Sequence, residues 1–271
     1  MAAWLARMSA FRARRFLTAN GHIEILVDNN LLAHATTHKT AKISLGMQKW
    51  GPHEFEGFTT ARVSAYEMDS ESREFQSIKF LPGLISLHKS GHLSLRTSAL
   101  LKFEQFYQPS GRFLGGGWFD HNLMGDVKLE SVDGFAFPDL GPTWMELPSS
   151  REQLKQRLER EAEADADFAS LVTVLGKKNS QDAWHIRTAE KHKLYCFLTT
   201  DFKLLDALHA QRNSARVKAL KTKVMTPVEL AGSLGIDPVA PQLFSYTNAS
   251  FPVRADLVLP SVPRHRSKKT D

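Results

Sequence analysis

Two short apolar runs lie far apart in the chain, and each ends in an aspartate. The first runs from Ile23 to Asp28 (IEILVD) and the second from Tyr195 to Asp201 (YCFLTTD). A strand buried on both faces of a parallel sheet has such a continuous apolar pattern, and ligands collect where such strands end. Helix-like sequence follows each aspartate, over 29–35 and 202–210. The pattern therefore predicts two strand-to-helix corners whose carboxylates meet at one edge of a parallel sheet.

Other helices and strands are predicted between these two corners. Apolar residues recur with helical spacing over 74–90, although Pro82 and Gly83 interrupt the pattern. Residues 40–72 have a mixed pattern that predicts no element. The remaining predicted elements are a strand over 92–95, a helix that begins after Thr97 or Ser98, helical sequence over 151–175 with a capping-box pattern at 150–153, and a helix over 181–192.

Glycine, proline and aromatic residues concentrate over 107–150. Structureless stretches of this length are uncommon inside a compact domain, so the pattern predicts an insertion that packs its own aromatics or covers a site. We expect one domain over 22–236 that contains this insertion. A basic N-terminal extension over 1–21 and a Pro-rich, basic C-terminal tail over 237–271 flank the predicted domain.

The composition fits a soluble globular protein. The chain has 271 residues, of which 42% are hydrophobic, and this is enough to form a core. No apolar run approaches the roughly 18 to 20 residues that cross a bilayer, and no signal-peptide pattern is present. We therefore expect a cytoplasmic protein with no membrane partner. The single cysteine, Cys196, excludes an internal disulfide and a cysteine-based zinc cluster, and its apolar surroundings predict a buried thiol.

The net charge of +6 is concentrated at the two ends of the chain. Residues 1–22 contain four arginines and no acid, and residues 252–271 contain five basic residues beside Asp256 and Asp271. Such ends either bind a phosphate backbone through counterion release or are solvated tails, and the sequence leaves both open. An arginine-rich start without acids is also typical of a transit peptide, although this one is poor in serine.

The spacing between Asp182 and Asp201 brings a third carboxylate to the predicted edge. A helix of about eleven residues rises roughly 16 Å, and a returning strand of five to six residues covers roughly 16 to 20 Å in the opposite direction. Asp182, at the start of such a helix, therefore lies near Asp201 and, by the strand argument, near Asp28. Three carboxylates repel each other unless they bind a hard divalent cation, and such a site suits phosphodiester hydrolysis by a metal-bound water.

Four segments of the chain resemble the PIN-domain ribonucleases. They are ILVDNNLLAH around Asp28, SLRTSALLKFEQ around Glu104, QDAWHIRTAEKHKLYCFLTTDFKLLDAL around Asp182 and Asp201, and KVMTPVELAGSLGI near the end. The third is the most specific, because it combines an aspartate before an Ala-rich helix, a short strand, and Thr199 shortly before Asp201. The resemblance implies a three-layer α/β/α sandwich with a central parallel sheet, and cleavage of RNA that depends on Mg²⁺ or Mn²⁺.

The resemblance also implies the site and its partners. Asp28, Glu104, Asp182 and Asp201 are the implied ligands of one or two metal ions, with a metal-bound water attacking the phosphodiester. RNA is the implied substrate, and an antitoxin-like protein that restrains the activity, as in a toxin–antitoxin pair, is an implied partner. A homodimer is a further expected assembly. The chain is longer than many members of the family, and its 107–150 segment has no counterpart there.

Several alternatives stay open. Glu67 competes with Glu104 as the central acid, because it also follows a serine on a predicted helix. Each aspartate has a purely structural alternative, as a helix cap or a first-turn acid. His34 and His38 are four residues apart on a predicted helix and either bind zinc or lie on the surface. A PIN-like module that binds RNA or protein without cleavage is the main functional alternative. A phosphatase is disfavoured, because Asn30 stands where its second aspartate is needed.

Overall fold

The computed structural model describes residues 2–67, 70–106, 117, 120–134, 144, 146–245 and 252–253. The strands in these ranges are β1 (Ile23–Val27), β2 (Thr36–Trp50), β3 (His53–Ser64), β4 (Leu93–Thr97), β5 (His121–Asn122), β6 (Glu130–Ser131), β7 (Cys196–Leu198), β8 (Lys223–Met225) and β9 (Pro252–Val253). The helices are α1 (Ala2–Ser9), α2 (Phe11–Asn20), α3 (Asn29–His34), α4 (Arg73–Ile78), α5 (Leu81–Lys89), α6 (Ala99–Phe106), α7 (Ser150–Ala164), α8 (Ala166–Leu175), α9 (Ser180–Lys191), α10 (Phe202–Ala210), α11 (Ala215–Lys218) and α12 (Pro227–Leu234). Two short 3₁₀ helices cover Lys177–Asn179 and Pro241–Phe244. Within the described ranges, no helix is both long enough and apolar enough to cross a membrane.

A parallel five-stranded sheet with the order β6-β4-β1-β7-β8 forms the centre of the fold. Every neighbouring pair is parallel, with Ile25 of β1 opposite Leu95 of β4 on one side and Cys196 of β7 on the other. Successive side chains of a strand point to opposite faces, so Ile25 and Val27 lie in one buried cluster and Leu26 in the other. Helices α2, α3, α4, α5 and α12 line the first cluster, and α6 to α10 line the second. The predicted three-layer α/β/α architecture with a central parallel sheet is confirmed.

The two apolar runs of the sequence are adjacent strands of this sheet, β1 and β7. Cys196 of β7 is fully buried, as predicted, and burial raises the pKa of its thiol to about 12. The predicted helix over 181–192 and the predicted strand over 92–95 correspond to α9 and β4. The break in the helical pattern over 74–90 lies between α4 and α5, and Pro82 is in the first turn of α5, where proline costs no hydrogen bond.

A second, antiparallel sheet has the order β5-β2-β3-β9. Strands β2 and β3 form a long hairpin that pairs from His38 and Ser64 near its base to Trp50 and His53 at its tip. In the described part of the chain β5 and β9 pair only near the base, so residues 41–59, which we call the arm, form a mostly exposed two-stranded ribbon. The sequence predicted no element here, because a ribbon that is exposed on both faces needs no apolar–polar alternation.

The prediction that His34 and His38 share one helix is wrong. Helix α3 ends at His34, and His38 lies in β2, where its side chain is fully buried beside Ser245 Oγ at 2.6 Å. The β-branched residues Thr36 and Thr37 between the two histidines favour an extended chain, which explains the early end of the helix. A zinc site built on one helix face and a pair of surface histidines are therefore both excluded.

Residues of the predicted basic extension form helices α1 and α2, which pack against α5 and α12. The approach to α5 is close at Gly83, where a Cβ would meet Ser9 Oγ at 3.0 Å. The side chains that α1, α2 and their junction bury are Ala6, Ser9, Ala10, Ala13 and Leu17. Four of these five are small, so the two helices lie close to the body of the protein.

Parts of the predicted insertion and tail belong to the folded structure. Residues 120–134 contribute β5 to the antiparallel sheet and β6 to the parallel sheet, while most of the rest of 107–150 lies outside the described residues. The capping box of α7 is formed by Ser149 and Glu152, one residue before the predicted position. In the predicted tail, the Asp237 N–H donates to the Ser9 carbonyl at 2.9 Å. Beyond residue 245, only 252–253 are among the described residues.

Candidate functional site

Two aspartates lie side by side at the carboxyl ends of β1 and β7. Asp28 follows β1, Asp201 follows β7, and the Asp28 N–H donates to the Leu198 carbonyl at 3.0 Å. Since β1 and β7 are parallel neighbours, both carboxylates are at one edge of the sheet, as the apolar runs predict. Asp182 is in the first turn of α9, and β7 returns the chain to the same edge. Its carboxylate is close enough to be affected by the charges of Asp28 and Asp201.

Thr199 links the first and last of these aspartates. Its hydroxyl donates to Asp28 Oδ2 at 2.5 Å and accepts from the Asp201 N–H at 2.8 Å. Thr199 is completely buried, and Asp28 is 7% exposed. The hydroxyl therefore holds the Asp28 carboxylate against the start of α10.

Replacing Thr199 by valine is expected to destabilise the protein by about 1 to 3 kcal/mol, because the isosteric side chain leaves a buried carboxylate oxygen without its donor and a backbone N–H without its acceptor. Urea denaturation measures this change in the free energy of unfolding. Thr199→Ser keeps the hydroxyl and is the matched control. A valine variant as stable as the serine variant would show that the hydrogen bonds contribute nothing.

The helix-cap alternative holds for one aspartate and fails for the other. Asp201 Oδ1 accepts from the N–H groups of Lys203 and Leu204 and so caps α10, while its Oδ2 is 3.3 Å from Asn30 Nδ2. Asp28 precedes α3 but makes no side-chain cap hydrogen bond. A buried carboxylate that caps nothing is costly to retain, so its position needs another explanation.

Glu104 of α6 is the fourth carboxylate at this edge. Its Oε2 accepts from Asn29 Nδ2 at 3.0 Å, and its Oε1 lies 3.0 Å from His185 Nε2. Asn29 is itself held by the Leu101 carbonyl and by Gln105, at 2.9 and 2.6 Å. Glu104 is therefore fixed from both sides by neighbouring elements.

Glu67, the rival for the central acid, is exposed in the segment after β3. None of its contacts in the described structure involves the carboxylates at the sheet edge. The fold thus brings Glu104, rather than Glu67, to Asp28 and Asp182.

Burial and neighbouring charges raise the pKa values of two of these carboxylates, Asp28 and Asp182. Burial is the main cause that raises the pKa of Asp28, and the charge of Glu104 adds to it. Burial is also the main cause that raises the pKa of Asp182 to about 6. The charges of Asp28, Asp201 and Glu104 raise this pKa further, and His185 opposes them. The edge of the sheet therefore carries more negative charge than its described surroundings balance.

His185 is the cationic group whose charge lowers the pKa values of Asp28 and Asp182. Burial alone would lower the pKa of its imidazole, but Glu104, Asp28 and Asp182 outweigh burial and raise it to about 9. The ring is 3% exposed, and its Nδ1 has no hydrogen-bond partner among the described residues. His185 is not among the residues predicted from the sequence, although its position three residues after Asp182 places both on one face of α9.

The carboxylates at the sheet edge have the ligand chemistry that a divalent cation requires, but not the arrangement. Carboxylate oxygens are the ligands that Mg²⁺ and Mn²⁺ prefer, and the suppressed ionisation of Asp28 and Asp182 is what an added positive charge would relieve. In the part of the chain that the structure describes, however, no three His, Cys, Asp or Glu groups are arranged to share an ion. The residues fit the cation in chemistry, and their side chains would have to move to bind it together.

Comparisons with known proteins add no further information. No protein-family model, no curated protein and no solved structure matches this chain. The function must therefore be argued from the site itself.

Proposed function

We propose that the protein is a PIN-type endoribonuclease that hydrolyses RNA phosphodiester bonds with Mg²⁺ or Mn²⁺. The observation that carries this proposal is the pair of carboxylates at the carboxyl edge of a parallel sheet, the buried Asp28 and the half-buried Asp182, whose pKa values are both raised. Ligands of α/β proteins bind at this edge. Perturbed carboxylates in such a place are typical of functional sites.

The side chains have distinct roles in this proposal. Asp28, Glu104, Asp182 and Asp201 hold one or two ions. When bound, such an ion supplies a water of lowered pKa and positive charge for the phosphodiester oxygens. The hydroxyl of Thr199 keeps Asp28 in place, Asn29 does the same for Glu104, and the N–H groups at the start of α10 do the same for Asp201. These partners supply the fixed orientation that metal ligands need.

A PIN-like module that binds RNA or protein without cleavage is the second candidate. It is favoured by the pairing of Glu104 with His185, which directs this carboxylate to an internal cation. It is also favoured by the lack of a three-ligand cluster among the described residues. Either function fits a cytoplasmic protein, with an antitoxin-like protein or a second copy of the chain as its partner.

RNA cleavage separates the two candidates. Purified protein is incubated with single-stranded RNA of mixed sequence in Mn²⁺, in Mg²⁺ or in EDTA, and with DNA of the same sequence. The proposal expects internal cleavage of the RNA with metal, intact RNA in EDTA, and intact DNA. RNA that stays intact in both metals, together with no heat of Mn²⁺ binding in titration calorimetry, assigns the protein to the second candidate.

Mn²⁺ is expected to raise the melting temperature near neutral pH and to have much less effect below about pH 5. The folded-state pKa of Asp182 is raised from 3.8 to about 6, so the folded protein keeps a proton there that the unfolded chain has lost. Between these two values the metal-free protein therefore loses stability as the pH rises. The ion competes with the same proton and binds best above the raised pKa. Differential scanning fluorimetry over this pH range measures both effects.

Asp182→Asn is expected to remove most of the pH dependence of the Mn²⁺ effect. Asp126→Asn is the matched control, because Asp126 is exposed and its charge is not among those that shift the pKa values of Asp28 and Asp182. An increase in melting temperature that is the same at every pH would contradict binding at Asp182.

A further inference from the structure

The outer face of α1 and α2 exposes large apolar side chains. Trp4, Met8, Phe11 and Phe16 are exposed by 60%, 50%, 50% and 45%. The opposite face, which is buried, consists of four small residues and Leu17. A surface helix normally buries its large apolar side chains, so these two helices have the reverse arrangement. Exposed apolar surfaces of this kind mark interaction sites.

Packing fixes the orientation of the two helices. A Cβ at Gly83 of α5 would meet Ser9 Oγ at 3.0 Å and Ala10 Cβ at 3.8 Å, so the helices approach α5 where only small side chains fit. A rotation that turned Trp4 or Phe11 inward would require space that these contacts do not leave. The outward aromatic side chains are therefore not a misplaced part of the core.

The outward side chains form a row with basic margins. Only Ala10 separates α1 from α2, and its carbonyl accepts from the Arg14 N–H at 2.9 Å, so α2 begins directly after α1. Side chains three and four residues apart lie on one face of a helix, so Trp4 and Met8 share a face of α1, and Phe11 and Arg15 share a face of α2. The row consists of Trp4, Met8, Phe11 and Arg15, with Arg7 and Arg12 on its two sides.

Only one arginine of these two helices, Arg12, has an acidic partner among the described residues. Residues 1–22 contain no acid, and the one ion pair that the described structure gives these helices joins Arg12 to Asp237 at 2.5 Å. Arg7, Arg14 and Arg15 have no carboxylate within ion-pair distance among the described residues. The surface is therefore apolar over Trp4, Met8 and Phe11, and two arginines without an ion pair lie at its margins, Arg7 at one side and Arg15 at the end of the row.

We propose that α1 and α2 bind the surface of an anionic lipid bilayer. Trp4, Met8 and Phe11 enter the boundary between headgroups and acyl chains, and Arg7 and Arg15 contact lipid phosphates. Helices that lie on membranes have this combination of aromatic and aliphatic side chains with arginines. This is attachment to one leaflet, which needs no spanning helix, and it does not depend on the proposed nuclease activity.

The arrangement of apolar side chains at the centre and arginines at the margins favours a lipid surface over nucleic acid as the ligand. Burial of an apolar centre brings the marginal guanidinium groups to the level of the headgroups, where each contributes to binding. A single-stranded RNA could bind the arginines through its phosphates and stack its bases on the aromatic rings. It would offer no aliphatic surface against which the Met8 side chain could pack. RNA binding by this face is the competing outcome of the test.

Co-sedimentation with vesicles tests the proposal with the full-length chain. Vesicles of phosphatidylglycerol and phosphatidylcholine in equal parts are compared with vesicles of phosphatidylcholine alone, at low and high salt. We expect binding to the anionic vesicles that weakens with salt. The Arg7→Gln/Arg15→Gln variant is expected to bind about 25-fold more weakly, since each arginine near such a surface contributes about 1 kcal/mol. The Trp4→Ala/Phe11→Ala variant is expected to lose at least about tenfold.

A matched control distinguishes specific binding by this face from non-specific adsorption of exposed aromatic side chains to vesicles. Trp50→Ala/Phe55→Ala removes two aromatic side chains of the arm that are exposed by 78% and 42%, and it is expected to bind vesicles like the wild type. Melting temperatures verify that all variants are folded. The proposal is overturned if the wild type does not bind anionic vesicles, or if the arm variant loses as much as the helix variants. It is also overturned if the helix variants lose binding to a single-stranded RNA in EDTA while vesicle binding is absent.

Discussion

Replacing Asp28 by asparagine is expected to reduce Mn²⁺-dependent RNA cleavage at least about 100-fold while leaving the fold intact. Asparagine has the shape of aspartate and retains an oxygen that can accept from Thr199, so the packing around β1 and β7 is preserved. It removes the buried charge that a metal ion would bind. Initial rates of cleavage of a fluorescent RNA, measured at saturating Mn²⁺, give the size of the loss.

Without metal, the same substitution is not expected to lower the free energy of unfolding. In EDTA the Asp28→Asn variant should be at least as stable as the wild type, because burial raises the pKa of Asp28 and an unfavourable buried charge is removed. With Mn²⁺ the order should reverse. Asp126→Asn, on the surface, is expected to leave both the cleavage rate and the Mn²⁺ effect unchanged. Wild-type cleavage by Asp28→Asn would show that Asp28 is not a ligand.

Replacing Phe168 by alanine is expected to destabilise the protein by about 3 to 5 kcal/mol. Phe168 is completely buried in the cluster on one face of the parallel sheet, and its ring packs edge-on against Trp184 with 5.1 Å between centroids. Its removal leaves a cavity between α8 and α9 that the close-packed helices cannot fill. Domains have a total stability of roughly 5 to 15 kcal/mol, so a large part of the stability is lost. Urea denaturation gives the change as a shift of the midpoint.

Phe58→Ala is the matched control for this prediction. Phe58 lies in the arm, is 42% exposed, and has Lys42 Nζ 3.8 Å from its ring centroid. Its loss is expected to cost no more than about 1 kcal/mol, the size of an exposed cation–π contact. Equal effects of the two substitutions would mean that the arm is part of the cooperative core.

The sequence predicts the centre of this fold well, because buried parallel strands have a pattern of their own. The apolar runs before Asp28 and Asp201 form β1 and β7, and these pair as expected. The position of Asp182 follows from the rise of a helix and of a strand alone. The choice of Glu104 came from the resemblance, and the fold brings it to the other carboxylates through α6.

The sequence predicts much less where position depends on distant neighbours. The arm has no pattern to detect, because both its faces are mostly exposed and its pairing shifts between Ser44 and Gly46. His185 is one of eleven histidines, and only the packing of α6 against α9 brings it to Glu104. The buried faces of α1 and α2 consist mostly of small residues, which give only a weak apolar pattern. Residues 1–21 were therefore predicted to be a basic extension rather than part of the domain.

The central position of β1 has a consequence for the synthesis of the chain. β1 leaves the ribosome well before its partner β7, which begins only at Cys196. At about 5 to 20 residues per second, synthesis of the chain from β1 to β7 takes roughly 10 to 30 s. During this time one side of β1 has no paired strand. Ile25, Leu26 and Val27, which are at most 1% exposed in the finished protein, are then open to other chains. Fragments that end before β7 are therefore expected to aggregate or to be degraded. They also lack Asp201, so a prematurely terminated chain does not contain the complete set of four carboxylates.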